Sequence, residues 1–467
     1  MTETSAAKKT YADTASGKES KLNAASVTGK ILMEGTLVLD SPLLIGTGLM
    51  KDGARNEVDT QILKDRHERP FIPGTSLAGV LRSLLPEETA ELLFGKIVHG
   101  KKADDSWQSA VDIEDVKLED ASIVLRDGVG IAAYAGTAIK GRKYNYEAVE
   151  RGAKGRLRMT VTRRMKQEEK GDIEEAVKKL TDWLAGGIRV GALTSKGFGK
   201  ISVSDAKASF YDFRDFADVR RWLLREAAEK SYAGQKSLGR KAPGMFSVDA
   251  SFAVRGSLIV RENNVDANDK IKARQKKSGA DFLLPGTSLK GVLRHRAEEI
   301  LDILKKPAGM LDGLMGCSRE SSGQKSRFLV DETYFRDGVK AAAHARNRID
   351  CFTGGTVDSV LFTEEPVWQK EKGMPTLSLH YEIRDYAPWE AGLALYLLRD
   401  LWQGNIAVGG ESSVGRGRLA GISAMISLGE ESCTLGADGE ITGDGAAKLE
   451  ACAKALRDYE EKEEEGA

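Results

Sequence analysis

Apolar and polar positions along this chain follow a pattern that is written twice. In the first half, Ile31, Met33 and the run Leu37-Val38-Leu39 predict a strand that turns at Asp40-Ser41-Pro42. Phe71-Ile72 predict a short extended segment, and Leu77, Val80 and Leu81 fall at helical spacing directly after it. Strands are expected over 111–113 and 122–125, a hairpin or extended arm over 135–147, and a returning strand over 156–162. Asp172 then caps a helix whose face carries Ile173, Val177, Leu180 and Leu184 and which stops at Gly186-Gly187; a closing strand follows over 200–203. Residues 214–231 read as helical.

The second half repeats the order. It reads as a strand over 248–260, a helix through Leu289, Val292 and Leu293, a strand over 327–330, a hairpin region over 340–366, a strand over 376–382, a helix over 389–402 and a last strand over 419–422. Each half is therefore β, α, β, β, α, β with a hairpin inserted between its middle strands, which is the ferredoxin-like order. The expected fold class is α+β, with two tandem ferredoxin-like domains. The divisions read from the sequence are a disordered tail (1–28), a first domain (29–213), a helix and linker (214–246), a second domain (247–425) and a C-terminal extension ending in acidic residues (426–467).

The duplication is sharpest in ten residues, Pro73-Gly74-Thr75-Ser76-Leu77-Ala78-Gly79-Val80-Leu81-Arg82, which recur 212 residues later as Pro285-Gly286-Thr287-Ser288-Leu289-Lys290-Gly291-Val292-Leu293-Arg294. Pro-Gly ends an extended segment, and Thr or Ser is expected to cap the helix that follows. Such a helix start leaves N–H groups unpaired and suits a phosphate. Lys290 and Arg294 share one helix face and would add charge, whereas Ala78 leaves Arg82 alone in the first copy. A second duplicated feature is the glycine loop, Gly191-Ala192-Leu193-Thr194-Ser195-Lys196-Gly197-Phe198-Gly199 and Gly409-Gly410-Glu411-Ser412-Ser413-Val414-Gly415-Arg416-Gly417. Each loop carries a basic residue, Lys196 or Arg416, and glycines that permit close approach to a sugar-phosphate backbone. Neither has the GKS or GKT of an ATP-binding loop, nor its place between a strand and the helix it feeds.

Bulk composition narrows the options. With 70 basic and 70 acidic residues the 467-residue chain carries no net charge, so an anionic partner must be held by local clusters such as Arg156, Arg158, Arg163, Arg164 and Lys166, or Lys270, Lys272, Arg274, Lys276 and Lys277. No apolar run is long enough for a membrane span and no secretory signal opens the chain, so a cytoplasmic protein is expected. Cys317, Cys351, Cys433 and Cys452 lack metal-binding spacing and read as packed thiols. His67 or His295 would serve a hydrolase or a histidine ribonuclease only if other groups converge on them. Asp59 lies in a loop between two extended segments, fourteen residues before Pro73. It is placed either to face a bound strand and hold a divalent metal or to cap its own loop, and spacing does not decide between these.

These motifs, with Arg348-Ile349-Asp350-Cys351-Phe352-Thr353-Gly354-Gly355-Thr356, fall in an order that resembles the RAMP superfamily (repeat-associated mysterious proteins). In particular they resemble the guide-RNA-binding backbone subunits of type III CRISPR effector complexes, the double-domain form being similar to subtype III-D. The resemblance spans about residues 30–425. It implies an RRM-like palm that grips crRNA, a thumb hairpin in each domain (near 128–150 and 340–366) that interrupts the guide–target duplex, and cleavage of target RNA supported by Mg²⁺ or Mn²⁺ at a loop aspartate. Asp59 matches that aspartate and its metal. In the second domain the loop offers Asp266 and Asp269, which depart from the spacing. Thr75, Ser76, Arg82, Thr287, Ser288, Lys290, Arg294, Lys196, Gly197, Gly199, Arg348, Gly415, Arg416 and Gly417 match expected RNA contacts. The partners implied are crRNA, target RNA and the other subunits of the complex, with no membrane. The resemblance also leaves room for a non-catalytic guide-RNA scaffold, or for a crRNA-processing endoribonuclease working through His67.

Overall fold

The computed structural model describes residues 26–48, 58–97, 106–133, 135–236, 244–263, 271–307, 309–317 and 323–460. Asp266 and Asp269 lie outside them. In the first repeat β1 (Val27–Leu39) leads to α1 (Gly74–Leu84), α2 (Glu87–Phe94) and β2 (Val111–Ile113). The inserted hairpin is β3 (Ile123–Ile131) with β4 (Ala138–Val149), and β5 (Lys154–Arg164), α3 (Ile173–Gly186) and β6 (Lys200–Asp212) complete the repeat. A short helix α4 (Phe216–Leu224) and strand β7 (Lys230–Ala233) follow. The sheet order is β7-β6-β1-β5-β2, with antiparallel neighbours throughout. Its four core strands run fourth, first, third, second, the ferredoxin-like arrangement. Alternation makes this sheet one-sided. In β1 Ile31, Met33, Leu37 and Leu39 are buried, and in β5 so are Leu157, Met159 and Val161; Leu77 and Leu81 of α1 and Val177, Leu180 and Leu184 of α3 are buried as well.

The second repeat has β8 (Met245–Val254), β9 (Ile271–Gln275), α5 (Gly286–Ile303), α6 (Met310–Met315) and β10 (Phe328–Val330). Its hairpin is β11 (His344–Ile349) with β12 (Thr356–Glu365), followed by β13 (Leu377–Arg384), α7 (Pro388–Trp402) and β14 (Leu419–Leu428). The order β10-β13-β8-β14 again runs second, third, first, fourth. Two further strands, β15 (Glu431–Gly436) and β16 (Ile441–Gly443), extend this sheet, and α8 (Ala446–Arg457) packs on α7 so closely that a Cβ at Gly392 would lie 2.2 Å from the Cys452 carbonyl. By compactness the residues divide into Met1–Arg126, Asn145–Ala192 and Gly199–Arg240 as one unit and Asp127–Tyr144, Leu193–Phe198 and Lys241–Ala467 as the other.

Some sequence expectations are corrected here. Residues 214–231 are not one helix: Arg225 adopts a left-handed conformation (φ 57°) that ends α4, and β7 then pairs with β6. Of the cysteines, Cys433 and Cys452 are buried, Cys317 is half-buried, and Cys351 is exposed at the second hairpin's tip. No helix among the described residues is long and apolar enough to cross a membrane.

Candidate nucleic-acid interface

The duplicated helix start is built on backbone contacts. Pro73 and Pro285, both extended, are the residues before the helix, and neither helix has a side-chain cap, so Thr75, Ser76, Thr287 and Ser288 lie within its first turn rather than capping it. In the first repeat the Asp115 carboxylate accepts the Gly74 N–H at 2.9 Å, so that helix start already holds an anion. A Cβ at Gly74 would lie 2.1 Å from Ile113 O, which explains the glycine. In the second repeat the corresponding Cβ at Gly286 would lie 2.3 Å from Lys196 O, so the glycine loop segment 193–198 sits against the start of α5.

The last residue of the motif has one internal role in both copies. Arg82 donates to the carbonyl of Gly95 at 3.3 Å, and Arg294 to that of Gly316 at 2.7 Å; each glycine ends the next helix, α2 or α6. Lys290 is buried, and its ammonium donates to Ser326 Oγ (2.7 Å) and Phe328 O (2.9 Å), so it braces β10 instead of reaching outward. Burial, then the charges of Lys196 and Arg294, bring its pKa down to about 7. Lys196 is half-buried and among the described residues has no ion-pair partner; burial and the Arg294 charge lower its pKa too. Three cationic groups thus crowd the start of α5, and among the described residues Lys196 has no carboxylate to offset it.

The glycine loops match residue for residue in backbone conformation and hydrogen bonding, and this corrects the pairing of their basic residues. Gly191, Gly197 and Gly199 (φ 86°, 94°, 75°) correspond to Gly409, Gly415 and Gly417 (φ 84°, 87°, 79°). Val190 N–H donates to Gly199 O and Val408 N–H to Gly417 O, at 2.8 and 2.9 Å. Lys196 therefore matches Val414, and Arg416 matches the buried Phe198. Arg416 is itself 3% exposed: its guanidinium forms an ion pair with Glu411 (2.6 Å), faces His344 Nδ1 (3.1 Å) and lies over the Trp368 ring. Glu411, Glu364, Arg261 and Arg346 complete this network at the base of the second hairpin. Five of these six glycines are explained by protein backbone or side chain: a Cβ would lie 1.9 Å from Val190 O at Gly199, 2.0 Å from Val408 O at Gly417, 2.5 Å from Leu44 O at Gly191 and from Ile259 O at Gly409, and 2.7 Å from Glu332 Cγ at Gly197, whereas Gly415 opens to empty space. Arg348 is exposed on the second hairpin, whose tip holds Phe352 at 96% exposure.

Asp59 is exposed, and its loop is tied to the base of the first hairpin, where Asn145 N–H donates to its Oδ2 at 2.8 Å. The second repeat keeps this pairing: Thr60 bridges Tyr146 in parallel, and Ala273 bridges Glu364 in the same sense. That register makes Lys272, also exposed, the counterpart of Asp59. Among the described residues no group of three His, Cys, Asp or Glu gathers as a metal site. A single exposed carboxylate still suits Mg²⁺ or Mn²⁺, which bind through one or two protein carboxylates with water and substrate phosphate oxygens completing the shell. His67 is exposed in a turn closed by Asp65, with Arg66 Nε at 3.0 Å from its Nε2, and His295 lies on α5.

Tandem ferredoxin-like repeats with hairpin insertions, a crowded cationic helix start and glycine-built loops define a repeat protein suited to a polyanion. The family model described as the RAMP superfamily matches residues 36–202 and again 254–420, and the chain belongs to that superfamily. It is accordingly a CRISPR-associated RNA-binding subunit. No curated protein matches the chain.

Proposed function

We propose that this chain is a guide-RNA-binding backbone subunit of a type III CRISPR interference complex and that it cuts complementary target RNA beside Asp59. The observation that carries the reading is Asp59 itself: an exposed carboxylate held at the base of an inserted hairpin, with a lysine at the equivalent place in the other repeat. Lys196 and the N-terminal turn of α5 supply positive charge for the guide backbone, and Arg348 supplies it on the second hairpin. The hairpins hold the duplex open at intervals. Cleavage is in-line attack of a target ribose 2′-hydroxyl on the adjacent phosphorus: the 5′-oxygen leaves with a proton, giving a 2′,3′-cyclic phosphate and a 5′-hydroxyl. A Mg²⁺ or Mn²⁺ ion held by Asp59 would supply charge neutralisation at the phosphate.

The test is the complex purified from cells. It should carry small guide RNA, and Asp59→Ala should retain that RNA while losing cleavage of a complementary strand. Absence of guide RNA, or undiminished cleavage, would overturn the proposal. The scaffold alternative is favoured by the want of a three-ligand metal cluster among the described residues and by the lysine at 272, and it gains if Asp59→Ala cleaves as wild type.

A further inference from the structure

The segment that carries Asp59 is joined to β4 by a ladder that mixes backbone and side chain. Asp59 N–H donates to Asn145 Oδ1 at 2.7 Å, and Asn145 N–H returns a bond to Asp59 Oδ2 at 2.8 Å. One residue on, Thr60 N–H donates to Asn145 O (3.3 Å) and Glu147 N–H to Thr60 O (2.9 Å). Ile62 N–H then reaches Glu147 Oε2 at 3.2 Å, and Lys64 lies 3.7 Å from the same carboxylate. On its other edge the segment is held by Thr47 N–H to Gln61 O and Leu63 N–H to Ile45 O, at 3.2 and 2.8 Å. The backbone is thus fixed beyond Asp59, and Asn145 holds Asp59 itself by both backbone and side chain.

The second repeat keeps the parallel pairing but not the reciprocal bond. By the shared register Thr363 stands where Asn145 stands and Lys272 where Asp59 stands. The asparagine and the aspartate therefore occur together in one repeat and are absent together from the other. A ladder serving stability alone has no need of this side-chain pair, because the backbone pairing survives its loss. An asparagine oxygen is well chosen here, since it accepts from the Asp59 amide without adding a second negative charge beside a carboxylate.

We propose that Asn145 is a positioning residue for Asp59, fixing the loop through its side-chain oxygen and the carboxylate rotamer through its own N–H. The inference rests on the reading of Asp59 given above. Displacing a reacting group by about 1 Å can cost on the order of a hundredfold in rate, so the expectation is a kinetic loss without a binding loss.

The experiment compares Asn145→Ala, Asn145→Asp and Asp59→Ala, each as the full chain in its guide-loaded complex. For Asn145→Ala we expect single-turnover cleavage about 10- to 100-fold slower than wild type, target affinity within about twofold, and faster amide hydrogen exchange over residues 58–62. Asn145→Asp keeps the acceptor and should restore slow exchange, but the second negative charge it sets beside Asp59 should leave the rate only partly recovered. Wild-type cleavage by Asn145→Ala beside inactive Asp59→Ala overturns the role of Asn145 and leaves Asp59 standing. Active Asp59→Ala overturns the reading of the site itself. Unchanged exchange in Asn145→Ala, or a rate loss fully explained by weaker target binding, also overturns the positioning role.

Discussion

Arg416 and Lys290 are charged residues that the fold takes inside, and each illustrates what a one-dimensional reading misses. A glycine-flanked arginine reads as a phosphate ligand, but Arg416 replaces a buried phenylalanine of the other repeat and is matched by Glu411 and Trp368, which lie far from it in sequence or carry no signal of the pairing. Removing one member of a buried pair strands the other, so Arg416→Ala should lower unfolding free energy by about 3 kcal/mol; a denaturation midpoint like wild type would contradict the internal role. RNA contact is expected from Lys196 instead. Lys196→Ala should reduce the salt slope of guide binding by about one unit, while Lys290→Met leaves the slope unchanged. Titration offers an independent check on Lys290 and His380. Burial lowers the pKa of His380, but hydrogen bonds to Asp249 and Glu382 outweigh it and raise the value to about 9, so its contribution is present below the unfolded pKa near 6.5 and lost as pH rises through 9. Lys290, held down to about 7, behaves oppositely: the unfolded chain binds the extra proton between pH 7 and about 10.5, so stability gains as pH rises. The stability gap between wild type and His380→Gln should therefore shrink from pH 6.5 to 9, and wild type should gain on Lys290→Met from pH 7 upward.

At the scale of elements, the sheets and long helices were legible because one-sided burial writes itself as period 2 in β1 and β5 and as helical spacing in α3, where Asp172 does accept the Glu175 N–H. The duplicated Pro-Gly helix starts were legible as starts. Their function was not, because a sequence shows a glycine without showing what approaches it. Here the approach at Gly74, Gly199 and Gly417 is by the protein's own carbonyls. Short pieces such as β7, or the β15–β16 hairpin beyond the expected domain end, span too few residues to show a period. The requirement for glycine at these positions can be measured. Gly417→Ala adds both a left-handed alanine and a 2.0 Å contact with Val408 O, so it should destabilise by more than about 3 kcal/mol. Gly415→Ala, left-handed but unobstructed, should cost about 1–2 kcal/mol. Equal losses would show that contact with Val408 does not set the requirement.

Across the whole molecule, one scaffold was copied and its chemistry diverged. The two sheets share strand order and the two glycine loops share backbone bonds. The side chains laid on them differ: Asp59 against Lys272, Asn145 against Thr363, Phe198 against Arg416, Ala78 against Lys290. The family resemblance singled out Asp59, which spacing alone left undecided, but it could not place the second repeat's counterpart, because that register is set by pairing with a hairpin strand some ninety residues away. Both repeats are expected to hold guide RNA, and only the first to cut. The most direct measurement is a cleavage map of an end-labelled target made with guide-loaded complexes bearing Asp59→Ala, Lys272→Ala, or Asp266→Ala with Asp269→Ala. The cuts assigned to this subunit should vanish with Asp59→Ala alone and persist in the other two; a map unchanged by Asp59→Ala, or one erased by the changes at 266 and 269, would contradict the account.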